Sequence, residues 1–239
     1  MAKLIFTSRY LRDAPPAQME NYVRYIGTRE GVEKMDSSKH YLPATIHQKQ
    51  LIKQLLRDIP EAKEMLEYED YRRKPTIGTA SEFISCALER NLDLIAKREN
   101  YVDYIAGRPR VERIGEHGLF TDEGEPVILR QVQKEVAEHK GVVWTHVISL
   151  RREDAARLGY DSAVQWMALL RSKRAMLCKH MKINSANLRW YAAFHNESHH
   201  PHVHLMVYSA KDREGYLSKQ SIEAMRSELA HDIFRQDFA

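Results

Sequence analysis

Apolar positions alternate with period two near both ends of the chain and with a helical period through its middle. "KLIFTSRY" (3–10) predicts an opening strand. "AQMENYVRYIGTREGVEK" (17–34) predicts a helix, with apolar and aromatic positions at Met19, Tyr22, Tyr25 and Ile26. From "TIHQKQLIKQLLRDIP" to about residue 140 the helical period dominates. Leu51, Leu55 and Ile59 recur ahead of Pro60, and Leu88, Leu92 and Ile95 recur inside "SEFISCALERNLDLIAKREN", a helix that Ser81 is placed to cap. "GLFTDEGEPV" is a turn-rich connection, and "PVILRQVQKEVAEHKG" a further helix closed by Gly141.

Beyond Gly141 the period changes. "VVWTHVISL" (142–150) is β-rich, and "DSAVQWMALLRSKRAMLCKHMKI" reads as one long helix. "NLRWYAAFH" and "HVHLMVYS" are two strands joined by the polar turn "NESHHP". The last helix, "SKQSIEAMRSELAHDIF", carries its apolar stripe at Ile222, Met225, Leu229 and Ile233. Strands at the start and in the last hundred residues, with helices between, predict an α+β fold. Its sheet is small and mainly antiparallel, with helices packed on it and a large helical insertion at about 44–140. No shift of composition divides the chain, so residues 1–239 are expected to form a single domain.

Composition adds little to this picture. Ten glycines in 239 residues argue against a barrel or sandwich with a tight turn every few residues. The net charge of +4 hints at an anionic partner. Cys86 and Cys178 lie far apart without zinc-type spacing, and both sit in helical patterns as small core residues. Neither a signal peptide nor an apolar run of about 18 residues is present, which predicts a cytoplasmic protein without membrane insertion.

The chemistry concentrates in "HNESHHPHVHLMVYS" (195–209). Residues two apart on a strand share a side, so His202 and His204 project together while Val203 and Leu205 face the core. His195 ends the preceding strand, and the turn returns it beside His202. Three imidazoles from two adjacent strands can hold a divalent cation and leave positions open, as a catalytic site requires. Glu197, in the same turn, is placed to orient a ligand histidine or to manage protons. His199 and His200 flank Pro201 and are expected to be solvent-exposed or to contact phosphate. The plainer reading, a polar turn, leaves the third histidine unexplained. Imidazole suits Zn, Mn, Fe, Ni and Cu alike.

Three reactions suit such a centre. A cupin-like oxygenase needs many strands and glycine turns, which the helical middle disfavours. A hydrolytic zinc enzyme needs a general base, for which Glu197 is the nearby candidate. A tyrosine nucleophile attacking a phosphodiester beside the cation is the third option. That option accommodates an internal repeat: "NYVRYIGTREGVE" (21–33) and "NYVDYIAGRPRVE" (100–112) agree at the majority of their positions. A helix–loop element with two tyrosines and an arginine is thus present twice.

On these residues the chain resembles the HUH relaxases of the MobP and MobL groups, DNA-nicking enzymes of conjugation and mobilisation. "HNESHHPHVHLMVYS" is similar to their third motif, and "NYVRYIGTREGVE" looks like their first. "WTHVISL" resembles their central strand, and "GYLSKQSIEAMRSELAHDIF" the segment that closes the catalytic core. The resemblance implies a palm-like antiparallel sheet and a metal-assisted nick at an origin of transfer that leaves a 5′-phosphotyrosyl adduct. It implies His195, His202 and His204 as ligands and Glu197 at the acidic position. Tyr25 stands at the nucleophile position, with Tyr22 one turn earlier as the alternative; Tyr101 and Tyr104, near Arg108, belong to the duplicated element and read as structural or DNA-contacting. Mn²⁺ or Mg²⁺ is the expected cofactor in activity, with Zn²⁺ or Ni²⁺ compatible. Arg24, Arg29, Arg151 and Arg152 are candidate phosphate contacts. The implied partners are single-stranded DNA at the nick, an adjacent hairpin, and accessory transfer and coupling proteins, the chain itself being a monomer. A rolling-circle initiator or single-tyrosine transposase would share the chemistry. A non-cutting origin-binding module is the alternative from another class.

Overall fold

A computed structural model describes residues 3–11, 41–91, 102, 106, 117–196 and 200–235. The chain divides into two compact units, one of residues 14–96 and the other of residues 1–13 with 97–239.

The larger unit is built on four antiparallel strands: β1 (Ile5–Tyr10), β2 (Trp144–Ser149), β3 (Leu188–His195) and β4 (His202–Ser209), ordered β1-β2-β4-β3. An α+β plan with an antiparallel sheet is therefore what the chain adopts. Alternation gives the two faces different fates. Leu4, Phe6, Ile148, Val203, Leu205, Val207, Trp190 and Phe194 lie on one face and merge with helical side chains into one apolar core. Those side chains include Ala155, Trp166, Leu170, Leu177, Met181, Met225, Leu229 and Ile233. They come from α5 (Arg152–Leu158), α6 (Ala163–Ser172), α7 (Arg174–Met181) and α8 (Lys219–Ile233).

The opposite face is also buried. At its far end α4 (Leu129–Glu138) places Glu135 against Tyr208, whose phenol donates to Oε2 at 2.8 Å. At the sheet's edge, Phe120 and Ala192 exchange two backbone hydrogen bonds of 2.9 Å, which covers the middle of β3.

Several local expectations change. The segment expected to be one helix from 161 onward breaks at Lys173, whose ψ of 8° leaves the helical range between α6 and α7. The short α5 went unpredicted; it ends at Gly159, which adopts the left-handed conformation (φ 77°) that suits glycine at this position. α4 stops at Glu138, before Gly141, so Gly141 does not close it.

Three basic side chains of this segment, Arg171, Lys173 and Arg174, are half-buried and have partners within the unit. Arg171 donates to the Thr121 carbonyl at 2.8 Å, and Arg174 pairs with Asp122 and donates to the Ser185 carbonyl. Lys173 pairs with Asp232. Trp190 is core, with its indole N–H satisfied by Asp122 at 3.0 Å.

The smaller unit is helical where described: α1 (Ile46–Asp58), a 3₁₀ turn (Pro60–Glu64), α2 (Leu66–Arg73) and α3 (Ile77–Arg90). Thr45 and Gln48 form a reciprocal capping box on α1, with bonds of 3.1 and 3.0 Å. Gln48 then reaches Ser81 at 2.9 Å and ties α1 to α3. Ser81 is thus inside α3 and caps nothing, because the helix starts one turn earlier. Its first turn is held by Thr76, whose hydroxyl accepts from the Thr79 N–H at 3.3 Å. Ile52, Leu55, Ile59, Leu66, Phe83, Ile84 and Leu88 fill this unit's core. The Glu67 carboxylate and the Arg90 guanidinium lie buried against each other, joining α2 to α3.

Candidate metal centre

β3 and β4 form a hairpin whose last pair before the turn is His195 opposite His202. Two pairs further along the ladder, His204 faces Ala193 on one side and Val147 on the other. All three histidines therefore project from the same face, while the intervening Val203 and Phe194 enter the core. The small Ala193 and branched Val147 leave room for an imidazole beside each.

The three rings converge. Their centroids are 5.1 Å apart for His195 and His202, 4.7 Å for His195 and His204, and 5.1 Å for His202 and His204. One nitrogen from each ring lies within 4.8 Å of the others, and all three side chains are fully buried. The rings are tilted by 54–74° rather than stacked, so their nitrogen edges rather than their faces meet. Neutral imidazoles gathered this way form a donor set suited to one divalent cation.

His202 has its tautomer set. Its Nδ1–H donates to the His200 carbonyl oxygen at 3.3 Å, which presents Nε2 as the basic nitrogen. His200 is itself buried, against the expectation of an exposed or phosphate-contacting residue. The reason is the hairpin geometry: Pro201 and His200 fold back over the end of β2, where the Leu150 N–H donates to the Pro201 carbonyl at 3.3 Å.

Of the other site residues expected from sequence, Arg151 and Arg152 are half-buried at the start of α5. They follow Ser149, the partner of His202 across the β2–β4 ladder, and so belong to the end of the sheet that carries the histidines. Tyr22, Tyr25, Arg24, Arg29, Glu197, Tyr101, Tyr104, Arg108 and His199 lie outside the described residues.

Two tyrosines share the histidine-bearing face, Tyr191 and Tyr208. Burial is the main cause that raises both phenols above their usual pKa, and Glu135 adds to it. Tyr208 is raised far above it, with Tyr191 contributing. A phenol held protonated so firmly is a poor nucleophile.

His146 points to the other side, stacked on Phe6 with ring centroids 5.3 Å apart and sharing a 2.7 Å hydrogen bond with Ser8. It takes no part in the triad. Sequence reasoning passed over the His200 carbonyl and Ser149. Alternation along "WTHVIS" assigns Ser149 a face, but only the register of β2 against β4 sets it opposite His202.

No described helix is long and apolar enough to cross a membrane. Comparison with curated proteins and with solved structures yields no match. The family model describing MobL relaxases matches residues 1–238.

Proposed function

The chain belongs to the MobL relaxase family, whose members nick DNA in conjugation and mobilisation, and on that premise we propose that it cuts one strand at an origin of transfer by tyrosine transesterification. The convergence of His195, His202 and His204 at the buried end of one sheet face carries this reading. These three residues would hold a divalent cation, Mn²⁺ or Mg²⁺ in activity, which supplies Lewis-acid polarisation of the scissile phosphate.

Tyr25 is the nucleophile in this reading. Its phenol loses its proton and attacks phosphorus in line. The phosphorus–O3′ bond breaks, leaving a 5′-phosphotyrosyl adduct and a free 3′-hydroxyl that takes up a proton. The ester energy stays in the adduct, so the same site can rejoin ends without a nucleotide cofactor. The His200 carbonyl holds His202 in its ligating tautomer, and Glu197 serves another histidine of the set in the same manner. Arg24, Arg29, Arg151 and Arg152 grip flanking phosphates, which makes affinity fall as salt rises. The substrate is single-stranded at the nick, with a hairpin beside it. The enzyme acts in the cytoplasm as a monomer, and accessory transfer and coupling proteins are its expected partners.

The test is incubation with labelled single-stranded oligonucleotides from candidate origins, with Mn²⁺, followed by a denaturing gel. A covalent protein–DNA band is expected for the parent and for Tyr22→Phe, and none for Tyr25→Phe. Persistence of the band in Tyr25→Phe overturns the assignment, and peptide mapping of the adduct then identifies the tyrosine used. Binding without an adduct on any origin substrate would favour a non-cutting module.

A further inference from the structure

Ser149 ends β2 on the rung Ile5–Ser149–His202–His195. Residues directly opposed across an antiparallel pair share a face, with Cβ atoms roughly 4.5–5.5 Å apart. The Ser149 side chain therefore stands beside His202 on the face of the triad. It is fully buried, and among the described residues its Oγ has no hydrogen-bond partner.

That is unusual in a sheet that otherwise provides for its hydroxyls. Thr145, on the same strand and face, donates to the Arg9 carbonyl at 3.3 Å, and the Thr121 hydroxyl donates to the Trp190 carbonyl. A buried hydroxyl left alone weakens the fold, whereas Ala or Val would fill a strand position at no such cost. A hydroxyl kept beside three converging imidazoles points to a further polar group that arrives with the site's ligand.

We propose that Ser149 is part of the metal centre, its hydroxyl hydrogen-bonding the oxygen ligand that shares the divalent cation with His195, His202 and His204. The proposal rests on the reading of the triad as a metal site. Ser149 is not a fourth metal ligand. Its hydroxyl is neutral and can donate to, or accept from, an oxygen in the open part of the coordination sphere. Such outer contacts tune metal affinity and orient the oxygen that the cation holds.

Four full-length proteins test this: the parent, Ser149→Thr, Ser149→Val and Ser149→Ala. Mn²⁺ affinity is measured by calorimetry and metal-free melting by circular dichroism. Thr and Val have nearly the same shape and differ by the hydroxyl. Ser149→Val and Ser149→Ala are expected to bind Mn²⁺ about tenfold more weakly, and Ser149→Thr within about threefold of the parent. Metal-free Ser149→Ala should melt at the parent's temperature or about 2–4 °C higher, since it loses an unsatisfied group.

Equal Mn²⁺ affinity in all four proteins overturns the proposal and leaves the triad intact. An equal loss in Thr and Val overturns it too, because volume rather than the hydroxyl then matters. If the parent binds no Mn²⁺, the reading of the triad falls and this proposal falls with it.

Discussion

Removing one imidazole from the triad tests the site without any knowledge of the nick sequence. The perturbation is His204→Ala, compared with the parent, His202→Ala and His231→Ala, each melted with EDTA and with Mn²⁺. His204 lies between Val147 and Ala193 on the ladder with the rings of His195 and His202 beside it, so the substitution opens a gap within the triad itself. The gap lowers metal-free stability, but that loss is present in both melts of a variant and drops out of the metal-induced increment. A cation that binds only the folded site stabilises it by about 2.7 kcal/mol at a hundred times its Kd. At roughly 2–4 °C per kcal/mol for a chain of this size, the parent should gain about 5–11 °C, reversed by EDTA. The nitrogens already lie within 4.8 Å of one another, so binding needs side-chain adjustment rather than refolding. His204→Ala and His202→Ala should lose most of the increment at the same Mn²⁺ concentration. His231→Ala, on the exposed side of α8, should keep it. An increment of the same size in all four proteins would refute a metal site at these histidines.

Two further outcomes follow from groups away from the triad. Burial pushes the His146 pKa from 6.5 down to about 3, so the folded state resists a proton that the unfolded state accepts. This burden is absent above pH 6.5, grows as pH falls below it, and reaches roughly 4–5 kcal/mol near pH 3. His146→Phe should therefore flatten the acid limb of urea-measured stability between pH 6.5 and 4; an unchanged limb would assign acid sensitivity to other groups. In the helical unit, Arg90→Met leaves the Glu67 carboxylate buried without its cation, which should cost about 3–5 kcal/mol in urea melts. The double variant Glu67→Met with Arg90→Met should recover most of that loss, and a double variant as unstable as the single would show that the pair is not the cause.

Strand positions were legible because burial imposes a period of two. "HVHLMVYS" separates His202 and His204 from Val203 and Leu205 whatever the rest of the chain does. The turn "NESHHP" is short enough that His195 and His202 must meet. Helix breaks were less legible. The apolar spacing of 161–183 continues through Lys173, while the backbone turns there to let both halves cover the sheet. Nothing local marks the partners of Arg171, Lys173 and Arg174, because Thr121, Asp122, Ser185 and Asp232 are brought close to them only by folding.

The amino-acid order by itself determined the histidine pair on one face of a strand, the third histidine across a hairpin, and the α+β plan around them. These depend on neighbours in sequence and on alternation, which local sterics enforce. The tertiary structure alone decided that β2 lies between β1 and β4, that Ser149 stands opposite His202, and that the His200 carbonyl sets the His202 tautomer. Register between strands some fifty residues apart is chosen by the packing of the whole sheet against its helices, and no local pattern carries that information.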